Sequence, residues 1–194
     1  NDNNTFLGPI RMREALYKSR NLVSIRLLQD MGIDRSLRYI ERFGFAPQDL
    51  PRNLSLALGT ASLTPMEIAE GWATFANGGY KIEPYLIQRI EDREGNLLFE
   101  ANPARVPPRE TQTADVEVHP VQSNPVIADG EQMPAAPRFA EQVLDERTAY
   151  IMTSMLQDVI KRGTGRRALA MGRDDIAGKT GTTNDSIDSW FSGY

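Results

Sequence analysis

The N-terminal part of the chain alternates between apolar runs at helical spacing and short polar or glycine breaks. A short helix is predicted over residues 11–17, before a polar break at residues 18–21. An amphipathic helix follows and ends at Gly32, and Asp34 is placed to cap a third helix that ends before Gly44. The apolar positions of these two helices recur every three residues, at Leu22, Ile25, Leu28 and Met31 and then at Leu37, Ile40 and Phe43.

The clearest helix start in the sequence is the segment Thr64-Pro65-Met66-Glu67. A threonine N-cap, a proline at the first helical position and a glutamate at the third form a capping box. The helix that follows should carry Ile68, Trp72 and Phe75 inward and stop at the break that begins with Asn77.

Further along the chain, strand patterns appear beside one long helix. Residues 85–101 predict a β-hairpin that turns at residues 92–95. Asp145 is placed to cap a long helix, and residues 176–183 and 189–194 predict two strands joined by a polar turn.

Residues 101–140 differ from the rest in composition, because they hold seven of the chain's 12 prolines and few large apolar side chains. Such a segment buries too little surface to offset its ordering entropy. We interpret it as a Pro-rich peripheral insertion or mobile linker within one domain.

Composition narrows the possible functions. The 194 residues are 40% hydrophobic, which suits one domain with a sizeable core. The net charge is −4 and no long basic run occurs, so nucleic acid is not an expected partner. The absence of cysteine excludes disulfides, thiolate metal sites and a cysteine nucleophile. His119 is the only histidine, so a multi-histidine metal site is excluded as well.

The stretch most informative about chemistry is Gly178-Lys179-Thr180-Gly181-Thr182. A lysine among hydroxyl residues and glycines on a strand offers a positive charge and hydrogen bonds to a carboxylate lying along the strand edge. The alternative is an ordinary strand with a surface lysine. Ser19-Arg20-Asn21 is a second element, and its alternative is a helix N-cap at a turn.

In this order the two elements match two of the three motifs of serine acyl-transferases, which are Ser-x-x-Lys, Ser-x-Asn and Lys-Thr-Gly. The chain resembles the transpeptidase domain of class A high-molecular-mass penicillin-binding proteins, and it is most similar to the 1A type of Gram-negative bacteria. The resemblance covers nearly everything except residues 101–140. The stretches that carry it are residues 13–28, 64–69, 75–80, 163–166, 177–184 and 188–193.

The Ser-x-x-Lys motif does not occur in this sequence, because no serine is followed three residues later by lysine. In the family this motif lies upstream of Ser-x-Asn and supplies the nucleophile and its base. Both ends of the sequence look like cuts within a longer polypeptide. We therefore interpret residues 1–194 as a partial transpeptidase domain that lacks its N-terminal part and functions with a preceding segment of the same polypeptide.

The resemblance implies a role for each matching residue. Ser19 would relay protons, Asn21 would hold the substrate amide, and Lys179 would maintain a positive field beside Ser19. Thr180 and Thr182, with Gly181 between them, would bind the substrate carboxylate. The backbone N–H of Thr182 would be one oxyanion donor.

The resemblance also implies an α+β, three-layer fold, with an antiparallel sheet flanked by helices and an all-helical subdomain. The reaction would be acyl transfer through a covalent acyl-enzyme on peptidoglycan stem peptides ending in D-Ala-D-Ala, with β-lactams as inhibitors. No metal or organic cofactor is implied. The family is periplasmic and is held at the bacterial inner membrane by an N-terminal anchor that these residues do not contain.

Three alternatives stay open on the sequence alone. A D,D-carboxypeptidase and a serine β-lactamase of the same fold would hydrolyse the acyl-enzyme instead of transferring it. A non-catalytic sensor module of this fold would bind ligands without turnover. The joint presence of five motif residues disfavours it, namely Ser19, Asn21, Lys179, Thr180 and Thr182.

Overall fold

A computed structural model describes residues 8–108, 136–182 and 189–194. The chain forms two compact units, one of Asn1–Lys81 with Gln142–Tyr194 and the other of Ile82–Glu141. Within the described ranges, helices and small antiparallel sheets make up an α+β structure. No helix in these ranges is long and apolar enough to cross a membrane.

The first unit contains five α-helices and two paired strands among its described residues. Three short 3-10 helices connect them, at Pro47–Asp49, Leu54–Leu58 and Arg166–Met171. The main elements are α1 (Met12–Tyr17), α2 (Asn21–Met31), α3 (Ile33–Glu41), α4 (Pro65–Ala76), α5 (Glu146–Arg162), β3 (Gly178–Thr182) and β4 (Ser189–Gly193).

Helix α5 is the centre of the first unit, and α1, α4 and β3 all pack against it. Its Asp145 N-cap accepts a hydrogen bond from the Thr148 amide, as the sequence predicts. Val159 and Ile160 are at most 1% exposed. Burying an aliphatic side chain of this size contributes roughly 1.5–3 kcal/mol. A helix with such a buried face fixes the positions of the elements that pack against it.

Helix α4 begins as the sequence predicts. The Thr64 hydroxyl accepts from the Glu67 amide, and the Glu67 carboxylate accepts from the Thr64 amide at 2.7 Å, which completes the capping box. Hydrogen bonds from the Thr64 hydroxyl and the Thr64 amide to the Glu67 carboxylate lower the pKa of Glu67. Phe75, near the end of this helix, packs on a small core formed by Phe43, Leu144 and Ala149.

The prediction that Asp34 caps the third helix is wrong. Helix α3 already begins at Ile33, because Gly32 turns the chain with a φ of 82° and occupies the N-cap position. Asp34 therefore lies inside the first helical turn, where its carboxylate accepts a hydrogen bond from Arg52 at 2.6 Å. A carboxylate in this turn still interacts favourably with the helix dipole.

The second unit contains the predicted hairpin, with strands β1 (Arg89–Glu91) and β2 (Leu97–Glu100) paired antiparallel. The Asp92 carboxylate accepts from the Asn96 amide at 2.7 Å and closes the turn. Residues 101–108 and 136–141 belong to this unit, and a parallel bridge joins Arg105 to Phe139. Residues 109–135 lie outside the described ranges, so the peripheral role assigned to residues 101–140 stays a prediction.

Candidate active site

A buried carboxylate on α5 holds α1 in place. Asp158 is 6% exposed and forms ion pairs with Arg13 at 2.9 Å and with Arg162 at 3.0 Å. Arg13 also donates to the Ser154 hydroxyl at 3.0 Å. Charged groups this buried occur in proteins mainly when they are paired. Because the bonds of Arg13 to Asp158 and Ser154 join α1 to α5, they fix the point from which the chain continues into Ser19.

The end of α5 makes a second contact with α1, at Gly163 and Thr164. The Thr164 amide donates to the carbonyl of Tyr17 at 3.2 Å. A Cβ at Gly163 would collide with that carbonyl, so only glycine permits this approach. The helix that leads into the loop of residues 18–20 is thus held to α5 at two points, through Arg13 and through the Tyr17 carbonyl.

Ser19 lies in this loop in a left-handed backbone conformation, with a φ of 51°. No other non-glycine residue in the described ranges has a positive φ. For an L-residue this conformation costs about 1–2 kcal/mol. Backbone bonds hold the loop, since the amides of Ser19 and Arg20 donate to the carbonyls of Leu16 and Ala15. Residues that the surrounding structure holds in a strained backbone conformation are often found at functional sites.

Strands β3 and β4 carry the second group of candidate residues. They pair antiparallel over five positions, with Gly178 opposite Gly193 and Lys179 opposite Ser192. A Cβ at Gly178 would collide with the Phe191 ring, so this glycine keeps the two strands closely packed. Strand β3 also packs against α5, as α1 does. The same helix therefore positions Lys179 and the loop that contains Ser19.

Lys179 and Ser19 meet although 160 residues separate them in the sequence. The Lys179 Nζ donates to the Ser19 Oγ at 2.9 Å and to the Thr180 carbonyl at 2.8 Å. Burial lowers the pKa of Lys179, because desolvation disfavours its charged form. A lysine with a lowered pKa gives up a proton more readily, and its hydrogen bond points an N–H toward the serine oxygen.

The other predicted residues of strand β3 follow Lys179 toward the C-terminal end of the strand. The hydroxyl oxygens of Thr180 and Thr164 are hydrogen bonded at 2.6 Å. Gly181 and Thr182 are exposed, and a Cβ at Gly181 would meet nothing within 4 Å. This end of the strand is therefore an open edge along which an extended ligand can lie.

Asn21 begins α2, two residues after Ser19, and is exposed. Its side chain has no hydrogen-bond partner among the residues that the structure describes. Of the predicted site residues, the structure thus brings Ser19, Lys179 and Thr180 together by hydrogen bonds. Asn21 lies two residues after Ser19 at the start of α2, and Gly181 and Thr182 follow Thr180 on β3.

Two contributors to the site were not assigned a role from the sequence. Asp158 interrupts the apolar run from Met155 to Ile160, and a lone carboxylate on the inward face of an amphipathic helix is a usable signal. Thr164 lies in a stretch that carries the family resemblance, but the pattern alone does not pair it with Thr180. Across residues 8–108, 136–182 and 189–194, no cluster of acidic or histidine side chains could hold a metal ion.

The fold and this pair of motifs define a penicillin-binding transpeptidase domain. The family model described as the penicillin binding protein transpeptidase domain matches residues 1–194, and the chain belongs to that family. The α+β transpeptidase fold predicted from the sequence is confirmed.

Relatives with the same domain include penicillin-binding protein 1A of Pseudomonas aeruginosa, which is 62% identical over 209 aligned residues and covers 100% of this chain. Penicillin-binding protein 1A of Neisseria gonorrhoeae is 42% identical over 194 residues, again across 100% of the chain. The predicted resemblance to the 1A type is confirmed.

Among solved structures, the crystal structure of penicillin-binding protein 1A from Haemophilus influenzae superposes with a TM-score of 0.80 at 34% identity. It covers 100% of this chain. The chain itself spans 25% and 21% of the length of the Pseudomonas and Neisseria relatives and 29% of the Haemophilus chain.

Proposed function

We propose that this domain is part of a peptidoglycan D,D-transpeptidase that works through a serine acyl-enzyme and is inhibited by β-lactams. The observation that carries the proposal is the hydrogen bond of 2.9 Å between Lys179 Nζ and Ser19 Oγ. It joins two of the three motifs of the serine acyl-transferases in one place, in a chain of the penicillin-binding transpeptidase family.

In the first half of the reaction, a serine Oγ attacks the carbonyl carbon of the penultimate D-alanine, and its proton passes to the lysine of the Ser-x-x-Lys motif. The amide C–N bond breaks, and the departing D-alanine nitrogen receives a proton relayed through Ser19. In the second half, an amine of a neighbouring stem peptide attacks the ester carbonyl. A new amide bond forms as the C–O ester bond breaks, and the proton lost by the amine passes through the same groups to the departing serine oxygen.

The residues of this chain support those steps without forming the covalent bond. Lys179 donates to Ser19 and keeps positive charge beside the relay. Thr180, Gly181 and Thr182 bind the substrate carboxylate along the open edge of β3, and the Thr182 N–H is one oxyanion donor. Asn21 binds the substrate amide with its exposed side chain. No metal or organic cofactor has a part in this reaction.

The rest of the enzyme is proposed from the resemblance. A preceding segment of the same polypeptide supplies the Ser-x-x-Lys nucleophile, since this sequence contains no such motif. The whole protein is a bifunctional glycosyltransferase and transpeptidase, and this domain works in the periplasm of a bacterium with an anchor in the inner membrane. We propose no nucleic-acid partner for it.

We expect the intact enzyme, meaning the full-length protein that contains this domain, to cross-link stem peptides. Given a glycan carrying D-Ala-D-Ala pentapeptides, it should release D-alanine and form peptide dimers in comparable amounts, because the acyl group is passed to an amine. Penicillin should abolish both products. The products are quantified by chromatography and mass spectrometry, with a penicillin-treated sample as the control.

Each remaining alternative gives a different result in that experiment. A D,D-carboxypeptidase releases D-alanine without forming dimers, and a β-lactamase hydrolyses penicillin rapidly instead of remaining acylated. A sensor module binds penicillin and forms neither product. Any one of these results would refute the transpeptidase proposal.

A further inference from the structure

Thr164 is hydrogen bonded both to the end of α1, just before the Ser19 loop, and to strand β3. Its amide donates to the Tyr17 carbonyl at 3.2 Å, two residues before Ser19. Its hydroxyl shares a hydrogen bond of 2.6 Å with the hydroxyl of Thr180, the residue after Lys179. Thr164 follows directly on α5, to which both α1 and β3 are packed.

Either hydroxyl can be the donor in the hydrogen bond between Thr164 and Thr180, and a bound anion would determine which one donates. A hydroxyl has one proton to donate and can accept at the same time. A carboxylate only accepts, so a Thr180 that binds one must turn its own proton toward the ligand. Its oxygen can then accept a hydrogen bond from Thr164, whose hydroxyl is the partner of Thr180 in the structure. A hydroxyl that accepts one hydrogen bond is a stronger donor of the next.

We propose that Thr164 is a positioning residue for carboxylate recognition, which donates its hydroxyl proton to Thr180 and directs the Thr180 proton to the ligand. The inference rests on the proposed function, because it takes Thr180 as a carboxylate-binding residue. It extends that function to a residue outside the three motifs. Thr164 does not touch the reacting atoms and acts through Thr180.

Four variants of the intact enzyme test the proposal: Thr164→Val, Thr164→Ser, Thr180→Val and the double variant Thr164→Val with Thr180→Val. Valine keeps the shape of threonine and the backbone bond to Tyr17 but removes the hydroxyl. Serine keeps the hydroxyl. For each variant, the second-order rate constant of acylation is measured with benzylpenicillin and with its methyl ester, which lacks the carboxylate charge.

Thr164→Val should slow acylation by benzylpenicillin about fivefold to tenfold, as expected for one hydrogen bond that serves a charged group. The ester should lose less than about twofold, and Thr164→Ser should restore the rate with benzylpenicillin. In the Thr180→Val background, Thr164→Val should add nothing, because the residue through which it acts is already lost.

Three results would overturn the proposal: equal losses with acid and ester, failure of serine to restore the rate, or an undiminished effect of Thr164→Val in the Thr180→Val background. If Thr180→Val itself does not discriminate between acid and ester, the carboxylate role of Thr180 fails and the inference fails with it. Cross-linking by the unmodified enzyme is measured separately, so failure of the transpeptidase proposal remains distinguishable.

Discussion

Replacing Lys179 with alanine in the intact enzyme should slow acylation by penicillin at least about 10²-fold, the usual size of effect for a positioned electrostatic or proton-transfer group. The variant loses both the hydrogen bond to Ser19 and the positive charge beside it. The domain should still fold, because an ammonium that is partly desolvated contributes little to stability. Stopped-flow measurement of the acylation rate tests the prediction.

Lys161→Ala is the matched control for this experiment. Lys161 is an exposed lysine in the last turn of α5, with no ion pair to another described residue. Its removal should leave acylation unchanged within about twofold, as is usual for a surface substitution. Near-normal acylation in Lys179→Ala would remove Lys179 from the active site.

Ser19→Gly should lower the acylation rate strongly while leaving the stability of the fold nearly unchanged. We expect acylation to fall about 10²-fold or more, because the proton relay loses its hydroxyl. The free energy of unfolding should change by less than about 1 kcal/mol. Glycine relieves the strain of the positive φ at this position, and this gain offsets the lost hydrogen bond to Lys179.

Acylation rates and thermal unfolding of the same preparation provide the two readouts. Ser24→Ala is the control, since Ser24 is exposed on α2 and its hydroxyl has no partner in the described ranges. A Ser19→Gly enzyme that acylates at the normal rate would show that Ser19 is only a structural residue. A large loss of stability would show that the φ of 51° is not a source of strain.

Signals confined to a few neighbouring residues predicted the local structure well. The capping box at Thr64, the N-cap at Asp145 and the pairing of β3 with β4 are all confirmed. Each depends on side chains within one helical turn or on the alternation of two adjacent strands. Asp34 shows the limit of such signals, because a capping residue type does not itself decide where the helix begins. The φ of Gly32 decided it.

The site needed information that no short pattern contains. The resemblance selected Ser19 and Lys179, but their contact across 160 residues depends on the packing of α1 and β3 on α5. That packing involves an ion pair between Arg13 and the buried carboxylate of Asp158. Partners so far apart in sequence are matched by the tertiary fold, so their pairing could not be predicted from composition, spacing or periodicity.

The measurement that tests the central claim most directly is the position of the covalent penicillin adduct. The intact enzyme is labelled with penicillin, digested and mapped by mass spectrometry, with Lys179→Ala as a slowly labelled comparison. We expect one adduct, on the serine of a Ser-x-x-Lys motif outside residues 1–194, with Ser19 unmodified. An adduct on Ser19, or on any other serine of this sequence, would contradict it.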